Sequence, residues 1–124
     1  MVLVVDDASD TRRLMRRVLE RAGLAVIEAP TGEAAIDQIE TAHPALVVLD
    51  LRLPGLSGFD VARWVRNHPE AAVARTILLA CSASVQLEVQ REALEAGCDA
   101  FEGKPFDVNG FTQRIQALLA ARRG

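Results

Sequence analysis

Short apolar runs alternate along the chain with longer segments whose apolar residues recur every third or fourth position. Runs rich in valine and leucine with few polar positions are typical of strands that are buried on both faces of a parallel sheet. The longer segments predict amphipathic helices that cover such a sheet. We therefore expect an α/β domain, a doubly wound five-stranded parallel sheet with helices on both faces. The predicted strands are Met1–Val5, Ala25–Ala29, Ala45–Leu49, Thr76–Cys81 and the weaker Ala100–Gly103.

Start and stop signals bound the predicted helices. The first helix spans about Ser9–Ala22 and stops at Gly23, a residue suited to a left-handed cap. The second ends at His43, because a residue before proline avoids the right-handed helical region, and the fourth ends at Gly97. Residues whose side chains can accept a backbone hydrogen bond are the expected N-caps of the other helices. These residues are Thr31, Ser57, Ser84 and Asp107.

Helical periodicity also predicts which side chains face the sheet. In the fourth helix Leu87 and Leu94 fall on the side opposite the inward stripe. The arginines of the first helix are expected to form a solvated face, with docking of an acidic partner as the alternative. The predicted inward residues are Leu14, Met15, Val18, Leu19 and Ala22 in the first helix, Val85, Val89, Ala93 and Ala96 in the fourth, and Val108, Phe111, Ile115, Leu118 and Leu119 in the last.

The composition is that of one globular domain. At 124 residues the chain is long enough for an independent core, and residues 1–124 are treated as a single domain. A net charge of −3 gives no basic excess for direct nucleic-acid binding. The apolar runs are too short for membrane insertion. With only Cys81 and Cys98, a disulfide framework is not expected, which favours a cytoplasmic location.

Three aspartates stand where two of the predicted strands end. Asp6 and Asp7 follow the first apolar run and Asp50 follows the third, although aspartate is a poor strand residue. Right-handed crossovers favour the strand order 2-1-3-4-5 of a flavodoxin-like sheet, which places strands one and three side by side. The three carboxylates are then expected to share one pocket. A hard divalent cation such as Mg²⁺ would relieve their mutual repulsion.

Two further polar residues are expected at the same edge of the sheet. Ser82 ends the fourth strand and Lys104 follows the fifth. A hydroxyl, an ammonium group, a cation and a carboxylate nucleophile together suit a phosphoryl group. Asp50 is the expected nucleophile because it stands alone on the central strand. The adjacent Asp6 and Asp7 point to opposite sides and are better placed to hold metal and water.

Six segments resemble those of response-regulator receiver domains, in the same order and spacing and over essentially the whole chain. No single segment is decisive, but together they are highly specific. They are Val4-Val5-Asp6-Asp7, the run from Val47 to Gly55, Ser57-Gly58-Phe59-Asp60, Ser82-Ala83, the run from Ala96 to Phe101, and Lys104-Pro105-Phe106.

This resemblance implies a role for each residue of the expected pocket. Asp50 would accept a phosphoryl group from a phosphohistidine donor, either a histidine kinase or a histidine phosphotransfer protein. Mg²⁺ (or Mn²⁺) would be bound by Asp6, Asp7, Asp50 and the main-chain carbonyl of Arg52. The phosphoryl oxygens would be bound by Ser82, the main-chain N–H of Ala83, and Lys104.

The resemblance also implies a way for the signal to leave the pocket. Phosphorylation would draw Ser82 toward the phosphoryl group and vacate space near Phe101, which matches the family's switch aromatic. Phe101 would then turn inward and remodel the face formed by the last two helices and the fifth strand. Leu87 and Leu94 would lie on that face and dock a downstream effector, or they are two isolated exposed leucines.

The resemblance implies a switch and not an enzyme, which would at most phosphorylate itself slowly from small donors and dephosphorylate itself. Two other functions compete with this switch. The first is an Mg²⁺-dependent phosphohydrolase with an aspartyl-phosphate intermediate. It is disfavoured because that chemistry usually needs two aspartates spaced two residues apart. The second is a pseudo-receiver scaffold that is never phosphorylated, which the intact set of acids, serine and lysine argues against. Glu102 has no assigned role, because a fifth-strand position is expected to be apolar; it is either solvated at the sheet edge or paired with a nearby base.

Overall fold

A computed structural model describes residues 1–123, which form a five-stranded sheet with α-helices on both faces. The strand order is β2-β1-β3-β4-β5 and every neighbouring pair is parallel, as the alternation of strands and helices predicted. The strands are β1 (Val2–Val5), β2 (Val26–Ala29), β3 (Leu46–Asp50), β4 (Ile77–Ser82) and β5 (Ala100–Gly103).

Six helices connect and follow the strands, one more than the sequence predicted. They are α1 (Ser9–Arg21), α2 (Gly32–Ala42), α3 (Gly58–Arg66), α4 (Ala71–Ala74), α5 (Leu87–Ala96) and α6 (Val108–Arg123). The unpredicted helix is α4, which is a single turn and too short to show a helical periodicity in the sequence. The predicted fourth and fifth helices are therefore α5 and α6.

The sheet separates two hydrophobic cores because successive strand residues point to opposite faces. On one face Met15 and Leu19 of α1 meet Phe111 and Ile115 of α6 over the even-numbered positions of β1. On the other face α2, α3 and α5 pack over Leu3 and the remaining alternate strand positions. The residues of the three central strands that point into the two cores are all buried. This burial fixes the register of the strands and so the relative positions of their ends.

Three of the four predicted N-caps are confirmed. The Thr31 hydroxyl accepts a hydrogen bond from the Ala34 N–H at 3.0 Å, and Asp107 accepts one from the Gly110 N–H at 2.8 Å. Ser57 and Asp60 form a reciprocal capping box at the start of α3. These caps fix where α2, α3 and α6 begin, and α3 begins directly after the loop that follows Asp50.

The predicted cap at Ser84 is wrong. Helix α5 begins only at Leu87, after Gln86, and no side chain caps it. The Ser84 N–H instead donates to the Ser82 hydroxyl at 3.1 Å, so this part of the chain forms a loop tied to the end of β4. The backbone N–H of a serine can donate to the hydroxyl of another serine two residues earlier, and this local hydrogen bond competes with the start of a helix.

Three predicted inward residues are exposed: Leu14, Val85 and Val108. Leu14 and Val108 lie at the margins of the apolar stripes of their helices and line the same shallow surface depression beside Pro105. Val85 precedes α5, so helical periodicity does not apply to it. Its Cγ1 lies where a side chain on Gly103 would be, 2.7 Å from the ideal Cβ position.

No helix within residues 1–123 combines the length and the apolar character that crossing a bilayer requires.

Candidate functional site

The parallel register brings the acidic strand ends together at the carboxyl edge of the sheet. Val5 pairs with Leu49, so Asp6 follows directly beside Asp50. Asp6, Asp7 and Asp50 each offer one carboxylate oxygen, and these oxygens lie within 4.8 Å of one another. The Lys104 ammonium joins the cluster from the end of β5, with its Nζ 2.6 Å from Asp6 Oδ2 and 3.4 Å from Asp50 Oδ2.

Asp6 is buried and its hydrogen-bonding groups are occupied. Its N–H donates to the Ala29 carbonyl at 3.2 Å, and its carbonyl accepts from the Arg12 guanidinium at 2.8 Å. One carboxylate oxygen accepts from the Ala8 N–H at 2.9 Å and the other from Lys104. A group held from four directions is fixed in position, so Asp6 is a rigid part of the site.

Asp50 is only 6% exposed, and its carboxylate is less fully bonded than that of Asp6. One oxygen accepts from the Arg52 N–H at 3.1 Å. Burial raises the pKa of Asp50 above its ordinary value, and the negative charge of Asp6 adds to this, against the opposing effects of Arg52 and Lys104. The charged carboxylate is therefore held at a cost in free energy that a cation would relieve.

The Lys104 side chain is half-buried beside two carboxylates. Burial alone would lower the pKa of its ammonium group, but the hydrogen bond to Asp6 and the charge of Asp50 outweigh burial and raise the pKa. Lys104 is consequently a fixed positive charge at neutral pH, and it lies directly beside the candidate nucleophile.

Asp7 differs from the other two acids because it is exposed. Within residues 1–123 its carboxylate accepts no hydrogen bond, whereas those of Asp6 and Asp50 do. The position of this side chain therefore depends on the backbone that carries it.

Ser82 lies at the end of β4, one residue beyond the Asp50–Cys81 pair, and is 1% exposed. Its hydroxyl accepts from the Ser84 N–H, and its carbonyl accepts from the Lys104 N–H at 2.8 Å. Ala83 follows at the surface. The structure thus places Ser82, Ala83 and Lys104 at one edge with the acids, although they come from different strands.

Phe101 and the two leucines lie away from the acids. Phe101 on β5 is partly buried against the core that contains α5. Leu87 and Leu94 are 76% and 57% exposed, and Val85 is 59% exposed. We call these three exposed residues the apolar face. Glu102 points to the opposite side of β5, where its carboxylate lies 3.2 Å from Arg114 of α6, so an ion pair accounts for this acidic strand residue.

Sequence reasoning missed two residues that shape the site. Arg12 was assigned to a solvated face, yet its side chain is only 15% exposed and bonds Asp6 and Glu28. Gly58 begins α3 against the backbone of Asp50, and a Cβ there would collide with the Asp50 carbonyl oxygen. Neither role has a local signal in the sequence, because each depends on a contact between separate elements.

The donor set fits a hard divalent cation. Three carboxylates face one ammonium group, so the cluster has a surplus of negative charge when its acids are ionised. All donors are oxygens, and two of the acids are buried, which are the conditions under which Mg²⁺ binds through one or two carboxylates and additional oxygens.

Comparison with known proteins agrees with this geometry. Residues 2–116 match the response regulator receiver domain family. The chain is 38% identical over 118 residues to the transcriptional regulatory protein ResD of Bacillus subtilis, covering 95% of the chain and 47% of ResD. It is 35% identical over 119 residues to the transcriptional regulatory protein GltR of Pseudomonas aeruginosa, covering 95% of the chain and 48% of GltR. The chain thus spans about half the length of these two relatives.

A solved structure shows the same fold. The receiver domain of a response regulator from Bermanella marisrubri superposes with a TM-score of 0.86 at 33% identity, covering 95% of this chain and 96% of that one. A family match over nearly the whole chain, the strand order and a relative structure of this similarity agree with one another. The chain belongs to the response regulator receiver domains of two-component signalling.

Proposed function

We propose that Asp50 is the phosphoacceptor of this receiver domain and that it takes its phosphoryl group from the phosphohistidine of a histidine kinase or histidine phosphotransfer protein. The observation that carries this proposal is the position of Asp50. Its buried carboxylate ends the central strand, 3.4 Å from the Lys104 ammonium and within reach of the oxygens of Asp6 and Asp7. No observation specifically favours the two alternatives, a phosphohydrolase or an unphosphorylated scaffold.

The transfer is a displacement at phosphorus. A carboxylate oxygen of Asp50 forms a bond to phosphorus while the bond between phosphorus and the histidine nitrogen breaks. The bonding electrons go to the departing ring nitrogen, and the imidazole leaves neutral when the other ring nitrogen of the donor carries a proton. No proton has to be removed from the carboxylate. Asp50 must therefore be ionised when it attacks, and a nearby positive charge favours that state.

The other carboxylates are less suited to attack. Both oxygens of Asp6 are engaged, one by the Ala8 N–H and one by Lys104 at 2.6 Å. Asp7 is exposed, so water would compete with any donor and hydrolyse its product. Asp50 combines burial with a carboxylate that is more loosely held, by the Arg52 N–H at 3.1 Å on one oxygen and by Lys104 at 3.4 Å on the other.

The remaining residues of the site bind and orient the phosphoryl group. Asp6, Asp7, Asp50 and the main-chain carbonyl of Arg52 would hold Mg²⁺ (or Mn²⁺), which neutralises phosphoryl oxygens when bound. Lys104 pairs with another oxygen, and the Ser82 hydroxyl and the Ala83 N–H donate hydrogen bonds. Because a phosphoaspartate is a reactive mixed anhydride that water hydrolyses, the domain acts as a temporary switch and not as a turnover enzyme.

Phosphorylation changes the loop that follows β4. The Ser82 hydroxyl accepts from the Ser84 N–H, and it can donate its own hydrogen to a charged phosphoryl oxygen at Asp50, which draws Ser82 toward Asp50. Movement of Ser82 makes room for Phe101, which has no hydroxyl and acts by shape alone. The expected result in a beryllofluoride complex is a changed Phe101 rotamer, and an unchanged rotamer would contradict the coupling.

The apolar face (Val85, Leu87, Leu94) is the proposed surface for a downstream effector. It lies on the loop and helix that follow Ser82, so a movement of this loop reaches it directly. Glutamate at both leucine positions is expected to weaken effector binding while phosphorylation of Asp50 continues. Loss of folding in that variant would show that the leucines belong to the core.

The phosphoacceptor is tested by intact-mass spectrometry after treatment with acetyl phosphate and Mg²⁺. Wild type is expected to gain one phosphoryl adduct. No adduct is expected when a chelator is added before the donor. Asp50→Asn is expected to gain none, and Asp37→Asn, which alters an exposed acid on α2, is expected to behave as wild type. An adduct retained in Asp50→Asn, or none in wild type, would overturn the assignment.

A further inference from the structure

The loop that carries Asp6 and Asp7 is held by a side chain of α1. Arg12 donates from Nη1 to the main-chain carbonyl of Asp6 at 2.8 Å and from Nε to Glu28 Oε1 at 2.8 Å. Its side chain is 15% exposed, whereas Arg16 one turn later is 42% exposed. Glu28 lies on β2, so Arg12 joins the end of β1 to the neighbouring strand.

The bonded carbonyl belongs to the peptide between Asp6 and Asp7. Its orientation sets the direction in which the chain leaves β1, and therefore where the Asp7 side chain begins. The same peptide region is fixed from the other side, since the Asp6 N–H donates to Ala29. Because the Asp7 carboxylate accepts no hydrogen bond from the described part of the chain, its position depends on its backbone. Arg12 holds that backbone at the Asp6 carbonyl, and the Asp6 carboxylate holds it at the Ala8 N–H.

The charge of Arg12 does not explain its position. A guanidinium next to a cation site repels the cation, so a positive charge here opposes Mg²⁺ binding. Glu28 offsets part of this charge by pairing with Arg12, although it also pairs with Arg16 Nη1 at 2.8 Å. The arrangement keeps a hydrogen-bond donor on the Asp6 carbonyl while part of its charge is offset.

We propose that Arg12, paired with Glu28, is a positioning residue for the cation site. It holds the Asp6–Asp7 peptide so that the carboxylates of Asp7 and Asp50 face the same ion. This inference rests on the proposed function, because it requires that the acidic cluster binds Mg²⁺. Positioning and charge make opposite predictions: loss of a positioning residue weakens Mg²⁺ binding, whereas loss of a repelling charge strengthens it.

The test compares two substitutions that remove the same charge from the same helix. Arg12→Met loses the bond to the Asp6 carbonyl, whereas Arg16→Met also breaks a pair with Glu28 but touches no part of the Asp6–Asp7 peptide. Binding of Mn²⁺ is followed by loss of the free-ion electron paramagnetic resonance signal, and Mg²⁺ binding by competition. The dissociation constant is expected to rise about tenfold in Arg12→Met, as for other residues that orient metal ligands. In Arg16→Met it is expected to be unchanged or slightly lower.

Arg12→Lys keeps the charge and separates positioning from electrostatics even if Arg12→Met does not fold. A lysine cannot hold the Asp6 carbonyl and Glu28 with the fixed fork of a guanidinium, so Mg²⁺ binding is expected to be intermediate. Urea unfolding measured on each variant shows the structural effect separately, because Arg12 and Arg16 both contribute ion pairs to stability.

The outcomes distinguish this inference from the proposed function. If wild type and Arg16→Met bind Mg²⁺ and the Arg12 variants bind it equally well or more tightly, positioning is wrong and the phosphoacceptor assignment stands. If wild type binds no divalent cation, both are wrong.

Discussion

The two ends of the sheet each hold aspartate against a basic side chain, but carboxylates outnumber the basic groups that contact them at only one of the two ends. At the amino ends of β4 and β5, Arg66 pairs with Asp99 at 2.7 Å and also donates to the carbonyls of Ala74 and Thr76 at 2.9 and 2.7 Å. The same Asp99 oxygen accepts from the Leu78 N–H at 2.8 Å. Asp99 therefore pairs closely with the Arg66 guanidinium, with Arg122 of α6 farther away at 4.0 Å, and the surrounding backbone groups are satisfied.

At the carboxyl edge, three carboxylates gather around the single ammonium of Lys104. Burial and the neighbouring acid raise the pKa of Asp50, so its charge is costly to hold. The amino end needs no further ligand, whereas the carboxyl edge is improved by any cation that binds. This difference separates an ion pair that stabilises the fold from an acidic cluster that can bind and react.

The largest effect is expected for the ion pair at the amino ends of β4 and β5. Arg66→Met removes the guanidinium but keeps the stem that packs on Gly97. We expect the free energy of unfolding to fall by about 2–3 kcal/mol, because Asp99 and two carbonyls lose a charged donor. Urea unfolding measures this difference. An unchanged slope of the free energy of unfolding against urea concentration would show that the folded state is otherwise intact.

Arg63→Met is the matched control on the same helix. Arg63 is half exposed and its distances to Asp60 and Glu92 are 3.4 and 3.9 Å, so its loss should cost at most about 0.5 kcal/mol. If both arginine variants lose equal stability, the Arg66 network has no special structural role and the contrast between the two ends fails.

The second prediction compares the same chemical change at both ends. Without divalent cations at neutral pH, Asp50→Asn is expected to stabilise the fold by about 1 kcal/mol, because it removes one member of a group of like charges. Asp99→Asn should destabilise it, because it weakens the pair with Arg66. Thermal and urea unfolding in the presence of a chelator measure both signs.

Addition of Mg²⁺ should then make wild type more stable than Asp50→Asn, the reverse of their order without the ion. Ligand binding to the folded state stabilises wild type in proportion to the logarithm of ligand concentration, and Asp50→Asn should gain much less. A wild type that gains no stability from Mg²⁺, or an Asp50→Asn protein that is less stable than wild type without it, would contradict the unbalanced-charge interpretation.

The strand order and the identity of the acidic cluster could be predicted from the sequence because both rest on local patterns. Alternation of apolar runs and amphipathic segments specifies parallel strands, and a right-handed crossover leaves few topologies. Once β1 and β3 are neighbours, residues that end them must lie together, so Asp6, Asp7 and Asp50 meet without any knowledge of side-chain contacts.

The networks that hold the two ends could not be predicted in this way. Arg66 and Asp99 are 33 positions apart, and Arg12 and Glu28 are 16 apart. Periodicity places such an arginine on the helix face opposite the core and so predicts that it is solvated. Its long side chain can nevertheless reach the end of a strand along the protein surface. The contacts of Gly58 and Val85 depend likewise on how separate elements pack, which periodicity does not report.

The smallest expected effect concerns Glu28, a carboxylate that contacts two guanidinium groups, whereas Asp50 lies in a cluster with two other carboxylates. The hydrogen bond from Arg16 comes first among the effects that lower the pKa of Glu28 below its ordinary value of 4.5, with Arg12 adding to it against burial. A depressed pKa in the folded state means that ionised Glu28 stabilises the fold above the unfolded pKa. This stability is lost as the pH falls through the folded pKa.

Glu28→Gln should therefore cost about 0.5–1 kcal/mol at neutral pH, and this difference from wild type should shrink toward zero as the pH falls well below 4.5. Asp50→Asn should show the opposite slope, because the raised pKa of Asp50 makes its ionised form costly only at higher pH. Glu20→Gln is the control, since Glu20 is half exposed and pairs only with Arg16 at 3.2 Å. Urea unfolding across this pH range compares the three variants. Equal slopes for Glu28→Gln and Asp50→Asn would mean that the charges in contact with each carboxylate, positive at Glu28 and partly negative at Asp50, do not govern its contribution to stability.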